Sequence, residues 1–183
     1  MNRVLVTGAA GFIGSHTCLS LIQSGYEIYV VDSYINSSTI SLLRLPEIFE
    51  ENKANIAKKI HIFKGDLRDK SFVENIFENL ISQGKKIDGV IHFAGLKSVG
   101  ESIKKPLDYW DCNLNSTINL LQVMQKFNCK SIVFSSSATI YDQNNENKIK
   151  ENNRVNPINP YGETKLVIEK LLKDVFNSEG GWR

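Results

Sequence analysis

The chain has 183 residues, enough to bury one hydrophobic core, and its 42% apolar and 23% charged residues are ordinary for a globular protein. A formal net charge of +2, with Lys-Lys pairs scattered among acidic residues, argues against a nucleic-acid-binding surface. Because no apolar run approaches about 18 residues and the three cysteines (Cys18, Cys112 and Cys129) lack metal-ligand spacing, we expect no membrane span, no signal peptide, no metal site, and free thiols in the cytoplasm.

Five short apolar runs predict the strands of a sheet. Each run is apolar nearly throughout, as expected of parallel strands that are buried on both faces. The predicted strands are Val4–Val6, Ile28–Val31, Ile60–Phe63, Val90–Phe93 and Ile132–Phe134.

Amphipathic stretches between these runs predict four helices: Phe12–Ser24, Ser71–Gln83, Leu107–Phe127 and Tyr161–Phe176. Gly25 is a suitable stop for the first helix, and Asn159 followed by Pro160 predicts the start of the last. We interpret the polar stretch 142–156 as a surface connection. The alternation of strands and helices predicts an α/β fold with a doubly wound parallel sheet, a Rossmann fold, in one domain over residues 1–183.

The segment TGAAGFIGSH (residues 7–16) follows the first predicted strand and opens the first predicted helix. Its glycines are spaced G-x-x-G-x-x-G, not G-x-G-x-x-G as in the familiar dinucleotide-binding motif. We expect Gly8 to allow a tight turn, Gly11 to let a pyrophosphate approach, and Gly14 to let the helix pack closely on the strand. Asp32 ends the second strand, where its carboxylate can bind a ribose diol and would repel a 2′-phosphate, which favours NAD over NADP.

A second motif, Y-x-x-x-K, places Tyr161 and Lys165 on one face of the last predicted helix. A lysine cation close to a phenol favours the phenolate, so this pair is suited to proton transfer. Ser137 follows the fifth predicted strand, at the sheet edge where doubly wound folds bind their ligands. Its hydroxyl can bridge a substrate hydroxyl and the tyrosine.

These motifs together resemble those of the extended short-chain dehydrogenase/reductases, a family that uses the G-x-x-G-x-x-G spacing. The resemblance rests on TGAAGFIG, Asp32, Gly65-Asp66 and the ordered trio Ser137, Tyr161 and Lys165. Within the family, HFAGLKSVGES (residues 92–102), followed by KPLDYW and FSSSATIYD, is similar to the UDP-glucose 4-epimerases.

The resemblance implies an NAD site and a UDP-sugar site at the same edge of the sheet. Asp66 and Leu67 would flank the adenine, and Lys165 would bind the nicotinamide ribose and tune Tyr161. The residues implied to bind NAD are Gly8, Gly11, Phe12, Ile13, Gly14, Asp32, Ser33, Asn36, Ser37, Asp66, Leu67, Phe93, Ala94, Gly95, Lys97, Asn113, Tyr161 and Lys165. Those implied to contact the UDP-sugar are Lys97, Ser137 and Tyr161.

The reaction implied by the resemblance is the interconversion of UDP-glucose and UDP-galactose. Tyr161 would take a proton from the sugar 4-hydroxyl, directly or through Ser137, while a hydride passes to NAD and returns to the other face of the 4-keto sugar. A 4,6-dehydratase of the same family is disfavoured, because Ala138 and Thr139 follow Ser137 where those enzymes carry Asp-Glu. A UDP-glucuronate 4-epimerase or decarboxylase, and a non-catalytic NAD-binding module, are the alternatives.

The chain departs from the family in length more than in motifs. Cys112 replaces the first residue of an Asn-Asn pair, Ser33 stands where many members have asparagine, and Asp142 stands in place of a glycine. Family members are nearly twice as long, and their second half supplies further strands and the lobe that grips the UDP-sugar. We therefore expect an N-terminal NAD-binding part without the C-terminal lobe, with an open sheet edge, and a homodimer in the full-length form.

Overall fold

Five parallel strands form one sheet in the computed structural model, which describes residues 2–49, 52–142, 148–178 and 180–183. The strands are β1 (Arg3–Thr7), β2 (Glu27–Asp32), β3 (Ile60–Lys64), β4 (Gly89–His92) and β5 (Ile132–Phe134). Each predicted strand is confirmed to within one residue at either end. Their order across the sheet is β3-β2-β1-β4-β5, which confirms the doubly wound topology.

The direction of winding reverses between β1 and β4, the two central neighbours. In this register Thr7 at the end of β1 lies opposite Val31 of β2 and His92 of β4. Loops that leave β1 and β4 diverge from this point, and doubly wound folds bind their ligands in the crevice that results.

Eight α-helices connect or follow the strands in the described ranges. They are α1 (Phe12–Gln23), α2 (Ile40–Leu43), α3 (Lys53–Ala57), α4 (Lys70–Ser82), α5 (Val99–Lys104), α6 (Pro106–Tyr109), α7 (Ser116–Lys126) and α8 (Pro160–Ser178). The four predicted helices are confirmed as α1, α4, α6 with α7, and α8. A π-helical segment, Trp110–Asn115, joins α6 to α7, so the predicted helix 107–127 is continuous but widened in the middle.

The helix ends follow the predicted capping signals. Gly25 has a φ of +87°, and the N–H groups of Gly25 and Tyr26 donate to the carbonyls of Ile22 and Leu21, which closes α1 in a Schellman motif. Asn159 Oδ1 accepts a hydrogen bond of 2.9 Å from the N–H of Gly162 and so caps α8 ahead of Pro160.

Alternate residues of the central strands face two separate cores. Val4 and Val6 of β1 pack on the side of α1, and Leu5 between them packs on the side of α4 and α7. β2 follows the same alternation, and all six of its residues are buried. Helices therefore cover both faces of the sheet, as the apolar runs predicted.

The sheet is more open on the β5 side. Val133 of β5 is 62% exposed, while the N–H of Arg183 donates to Lys130 O and the N–H of Ile132 donates to Arg183 O, so the last residues pair with this strand. The predicted connection 142–156 includes an antiparallel bridge between Tyr141 and Val155, and its residues 143–147 lie outside the described residues. Within the described ranges, no helix is both long and apolar enough to cross a membrane.

Candidate functional site

A cavity of about 360 Å³ lies at the carboxyl ends of the strands. It collects nearly every residue that the sequence predicts for a site, and Asn113 is the exception. The predicted residues that line it are Gly8, Gly11, Phe12, Ile13, Gly14, Asp32, Ser33, Asn36, Ser37, Asp66, Leu67, Phe93, Ala94, Gly95, Lys97, Ser137, Tyr161 and Lys165.

Several lining residues were not predicted as ligands. Ile35, Leu96, Cys112 and Ser116 also face the cavity. Leu96 lies inside the predicted segment Phe93–Lys97. Cys112 and Ser116 are four residues apart on the helical stretch that contains Asn113, so they share one face of it, while Asn113, the residue predicted there, lies on another face.

The glycine turn packs tightly against its surroundings at two of its three glycines. Gly8 has a φ of +66°, and a Cβ atom there would lie 2.6 Å from the nitrogen of Ala94. A Cβ atom on Gly14 would lie 2.8 Å from the Cα atom of Ala9. The positive φ confirms the tight turn predicted for Gly8, and Gly14 lets α1 pack closely, but on the turn after β1 and not on the strand itself.

Gly11 differs from the other two, because the protein itself leaves room for a side chain there. A Cβ atom on Gly11 would meet only Gly8 O, at the ordinary contact distance of 3.4 Å, and its φ of −69° suits any residue. Gly11 caps α1 where this 12-residue helix begins at the cavity. The first N–H groups of a helix lack intrahelical partners, so this end is suited to an anion.

Asp32 is buried beside the turn and already holds three protein donors. Its Oδ2 accepts from the N–H of Ala10 at 2.9 Å, and its Oδ1 accepts from the N–H of Tyr34 and from Ser37 Oγ. Two carboxylate oxygens offer about four acceptor positions, so capacity for one further donor remains. Asp32 therefore also braces the glycine turn against the loop after β2, a role that the sequence did not predict.

Ser137 and Lys165 line the cavity, and the hydrogen-bond partners of both side chains are set by the protein. Ser137 Oγ accepts hydrogen bonds from the N–H and Oγ1 of Thr139, so its own O–H is available to a ligand. Lys165 is only 5% exposed, its Nζ donates to Ser135 O at 2.9 Å, and it lies 5.9 Å from the ring centroid of Tyr161. Burial lowers the pKa of Lys165 to about 8.

The structure corrects the position predicted for Asn113. This residue is 2% exposed and does not line the cavity. Its amide oxygen accepts from the N–H of Leu96, and its amide nitrogen donates to Leu96 O and Thr164 Oγ1. Because all of these partners belong to the protein, Asn113 holds the loop after β4 and the helix α8 together from behind the cavity. The hydrogen bonds of Asn113 to Leu96 and Thr164 form a clamp, called here the Asn113 clamp.

The buried His92 connects the Asn113 clamp to the centre of the sheet. Thr117 Oγ1 donates its proton to Asn113 O, so it accepts a hydrogen bond of 2.9 Å from the Nε2–H of His92. The proton of the neutral imidazole is therefore on Nε2, and His92 Nδ1 accepts a hydrogen bond of 2.6 Å from Thr7 Oγ1–H. Burial, and secondarily the Lys165 cation, lower the pKa of His92 to about 3. His92 is therefore a neutral, fixed link among β1, β4 and α7.

The remaining His, Cys, Asp and Glu residues offer no metal site in the described part of the chain. No group of three or more His, Cys, Asp or Glu residues there could hold a metal ion. Cys18, Cys112 and Cys129 are free thiols, as predicted, and burial raises the pKa of Cys18 to about 12 and that of Cys129 to about 11.

The Rossmann sheet, the glycine turn and the Ser-Tyr-Lys set define an extended short-chain dehydrogenase/reductase. The chain matches the family described as GDP-mannose 4,6 dehydratase over residues 5–182 and belongs to that family.

Similar proteins within the family are epimerases. The chain is 47% identical over 182 residues to UDP-glucose 4-epimerase 2 of Arabidopsis thaliana, covering 100% of this chain and 49% of that protein. A solved structure of UDP-glucose 4-epimerase from Bifidobacterium longum in complex with NAD+ and UDP is 44% identical, with a TM-score of 0.88 over 99% of this chain and 51% of that one. The chain thus spans about half the length of these relatives.

Proposed function

We propose that the chain is the NAD-binding part of a UDP-glucose 4-epimerase, with residues 1–183 as its NAD-binding domain and a further lobe that binds the sugar nucleotide. The observation that carries this proposal is the convergence of Ser137, Tyr161 and Lys165 on the cavity that the glycine turn opens. Identity of 42–47% to plant UDP-glucose 4-epimerases over the whole chain supports the choice of reaction.

The residues at the cavity fit a dinucleotide. The free space at Gly11 and the start of α1 suit a pyrophosphate, and Asp32 has acceptor capacity for a ribose hydroxyl while its charge disfavours a 2′-phosphate. Asp66 and Leu67 line the same cavity and would flank the adenine, and Lys165 has donors beyond the one given to Ser135 O. When bound, NAD supplies a hydride acceptor that can return the hydride.

Tyr161 is the proposed base and acid of the reaction. A phenol ionises near pH ~10 in water, so it needs a neighbouring cation to act at neutral pH. Lys165 lies on the next turn of α8, with its Nζ 5.9 Å from the tyrosine ring, and would stabilise the phenolate. Tyr161 would take the proton from the sugar 4-hydroxyl as C4 is oxidised. It would return the proton after the 4-keto sugar has rotated in the site to present its other face.

Ser137 would orient the substrate during these transfers. Since Thr139 fills two acceptor positions on Ser137 Oγ, the serine O–H can donate to the sugar oxygen at C4 or pass its proton to Tyr161. Lys97 lines the same cavity and would contact the sugar nucleotide. Thr139 makes a hydrogen bond with Ser137 and carries no carboxyl group, which argues against the elimination of water that a 4,6-dehydratase performs.

A homodimer and a cytoplasmic location belong to the same proposal. Leu107, at the start of α6, is 80% exposed and would suit contact with a second copy. Free, buried Cys18 and Cys129 suit a reducing compartment. Light scattering of the complete gene product tests the first point, with twice the monomer mass expected and the monomer mass contradicting it.

The test of the proposed reaction uses the complete gene product. It should convert UDP-galactose to UDP-glucose, and Tyr161→Phe should lower kcat by about 10²-fold or more. Tyr26→Phe, a tyrosine that packs against the core beside α1, serves as the matched control and should keep wild-type activity. A protein that binds NAD but leaves UDP-galactose unchanged would overturn the epimerase assignment.

A further inference from the structure

Arg68 donates hydrogen bonds to both carboxylate oxygens of Asp66, a residue that lines the cavity. The main-chain N–H of Arg68 donates to Asp66 Oδ1 at 2.9 Å, and its Nη2 donates to Oδ2 at 2.7 Å. Arg68 Nε lies 3.1 Å from both carboxylate oxygens. With contacts on both oxygens, the carboxylate has one orientation on the cavity wall.

The same guanidinium also contacts a second part of the cavity wall, in the π-helical segment. Arg68 Nη1 donates to Asp111 Oδ2 at 2.6 Å, and Asp111 belongs to the π-helical segment beside Cys112, which lines the cavity. Asn119 Nδ2 of α7 donates to Leu67 O and to Arg68 O, so the loop after β3 is fastened to this helix. Arg68 is therefore held at a fixed place between these two parts of the wall.

The Asp66 carboxyl is ionised at neutral pH, and Arg68 stabilises that charge. Hydrogen bonds from Arg68 hold the pKa of the Asp66 carboxyl below its ordinary value, against the opposing effect of burial. An ionised carboxylate only accepts hydrogen bonds. It can therefore bind an amino group at the cavity wall, and it would oppose a carbonyl oxygen in the same place.

We propose that Arg68 is a positioning residue of the cofactor site, which fixes the Asp66 carboxylate so that it selects the 6-amino group of adenine. This inference rests on the proposed function, because it takes NAD as the ligand with its adenine at Asp66 and Leu67. Arg68 does not line the cavity, so it acts through Asp66 and not by contact with the ligand.

The exposure of the Arg68–Asp66 ion pair to solvent argues that its main role is not to stabilise the fold. The side chains of Arg68 and Asp66 are 38% and 33% exposed. Partly exposed ion pairs contribute little to folding stability. Loss of the arginine should therefore leave the fold and its melting temperature nearly unchanged and alter chiefly the choice of base.

The experiment compares two ligands by titration calorimetry on the complete gene product. One is NAD, and the other is the analogue in which hypoxanthine replaces adenine, so that a 6-oxo group replaces the 6-amino group. The wild type should bind NAD about tenfold more tightly than the analogue. Arg68→Gln should bring this ratio below about threefold, mainly by weakening NAD, while Arg68→Lys should keep an intermediate ratio because it retains the charge.

Two further variants serve as controls. Arg44→Gln removes an exposed arginine away from the cavity and should keep the wild-type ratio. Asp111→Asn leaves every contact between Arg68 and Asp66 in place but weakens one anchor of Arg68, so it should lower the ratio by less than Arg68→Gln does. A loss of preference in Asp111→Asn equal to that in Arg68→Gln would overturn the assignment to Asp66.

The outcomes for the inference and for the proposed function are distinct. If the wild type binds NAD and Arg68→Gln keeps the full preference, or weakens both ligands equally, the positioning role is wrong and the proposed cofactor stands. If the wild type binds neither dinucleotide, the proposed cofactor is wrong and this inference fails with it. Melting curves of all variants exclude a loss of folding as the cause.

Discussion

Asn113 Nδ2 donates a hydrogen bond of 3.0 Å to Thr164 Oγ1, and this contact joins the π-helical segment to the helix that carries Tyr161 and Lys165. The same amide group is bonded to both the N–H and the carbonyl of Leu96, in the loop after β4. One buried side chain therefore sets the distance between two walls of the cavity.

Replacement of Asn113 by alanine should lower the free energy of unfolding by about 2–3 kcal/mol. The change leaves the N–H and carbonyl of the partly buried Leu96, and the buried Thr164 hydroxyl, without their Asn113 partner, and each unsatisfied group is costly. Thr164→Val removes only one of the three bonds and should cost less. Urea unfolding of both variants measures their free energies of unfolding. Equal losses of stability in the two variants would contradict the role of Asn113 in joining the loop after β4 to α8.

The two glycines Gly8 and Gly25 form a matched pair for testing the glycine turn. Both have positive φ, but a Cβ atom at Gly25 meets nothing within 4 Å, whereas one at Gly8 would press on the backbone at Ala94. Gly25→Ala should cost about 1–2 kcal/mol for the backbone conformation alone. Gly8→Ala should cost about 3 kcal/mol or more, because overpacking adds to the same strain. If urea unfolding showed similar losses of stability for Gly8→Ala and Gly25→Ala, the close approach of Gly8 to the backbone at Ala94 would be unimportant.

The buried Lys165 should destabilise the folded chain at neutral pH. Its pKa falls from 10.5 to about 8 on folding, so the unfolded state binds more protons between these values and stability rises with pH there. Lys165→Met should therefore be more stable than the wild type at pH 7, by up to about 3 kcal/mol. This advantage should shrink below about 1 kcal/mol at pH 10. An advantage that does not change with pH would contradict the effect.

Local patterns were sufficient to predict the strands and the long helices, whereas most of the residues that line the cavity were implied by the family resemblance. Buried parallel strands leave continuous apolar runs, and parallel strands bring their carboxyl ends to one edge, so Asp32 and Ser137, which end or follow strands, could be placed together without a structure. The helices α2, α3 and α5 were missed because they are at most six residues long, too short for a helical period to be visible.

Contacts between distant segments could not be predicted in the same way. The fixed state of His92 depends on Thr7 and Thr117, which are 85 and 25 residues away from it. Asn113 was expected to bind NAD because it keeps the second position of the family's Asn-Asn pair, but its amide is bonded to Leu96 and Thr164. Sequence spacing alone does not reveal which partner a buried polar group will have.

The most direct test of the whole account is the affinity of the chain for NAD, measured by titration calorimetry on the wild type and on Gly11→Ala. The fold leaves room for a methyl group at Gly11 and only a better N-cap residue is lost, so the melting temperature should fall by less than about 4 °C. The methyl group would occupy the place of the pyrophosphate, so NAD should bind at least about tenfold more weakly. Unchanged affinity for NAD in Gly11→Ala, or no binding by the wild type, would contradict the account.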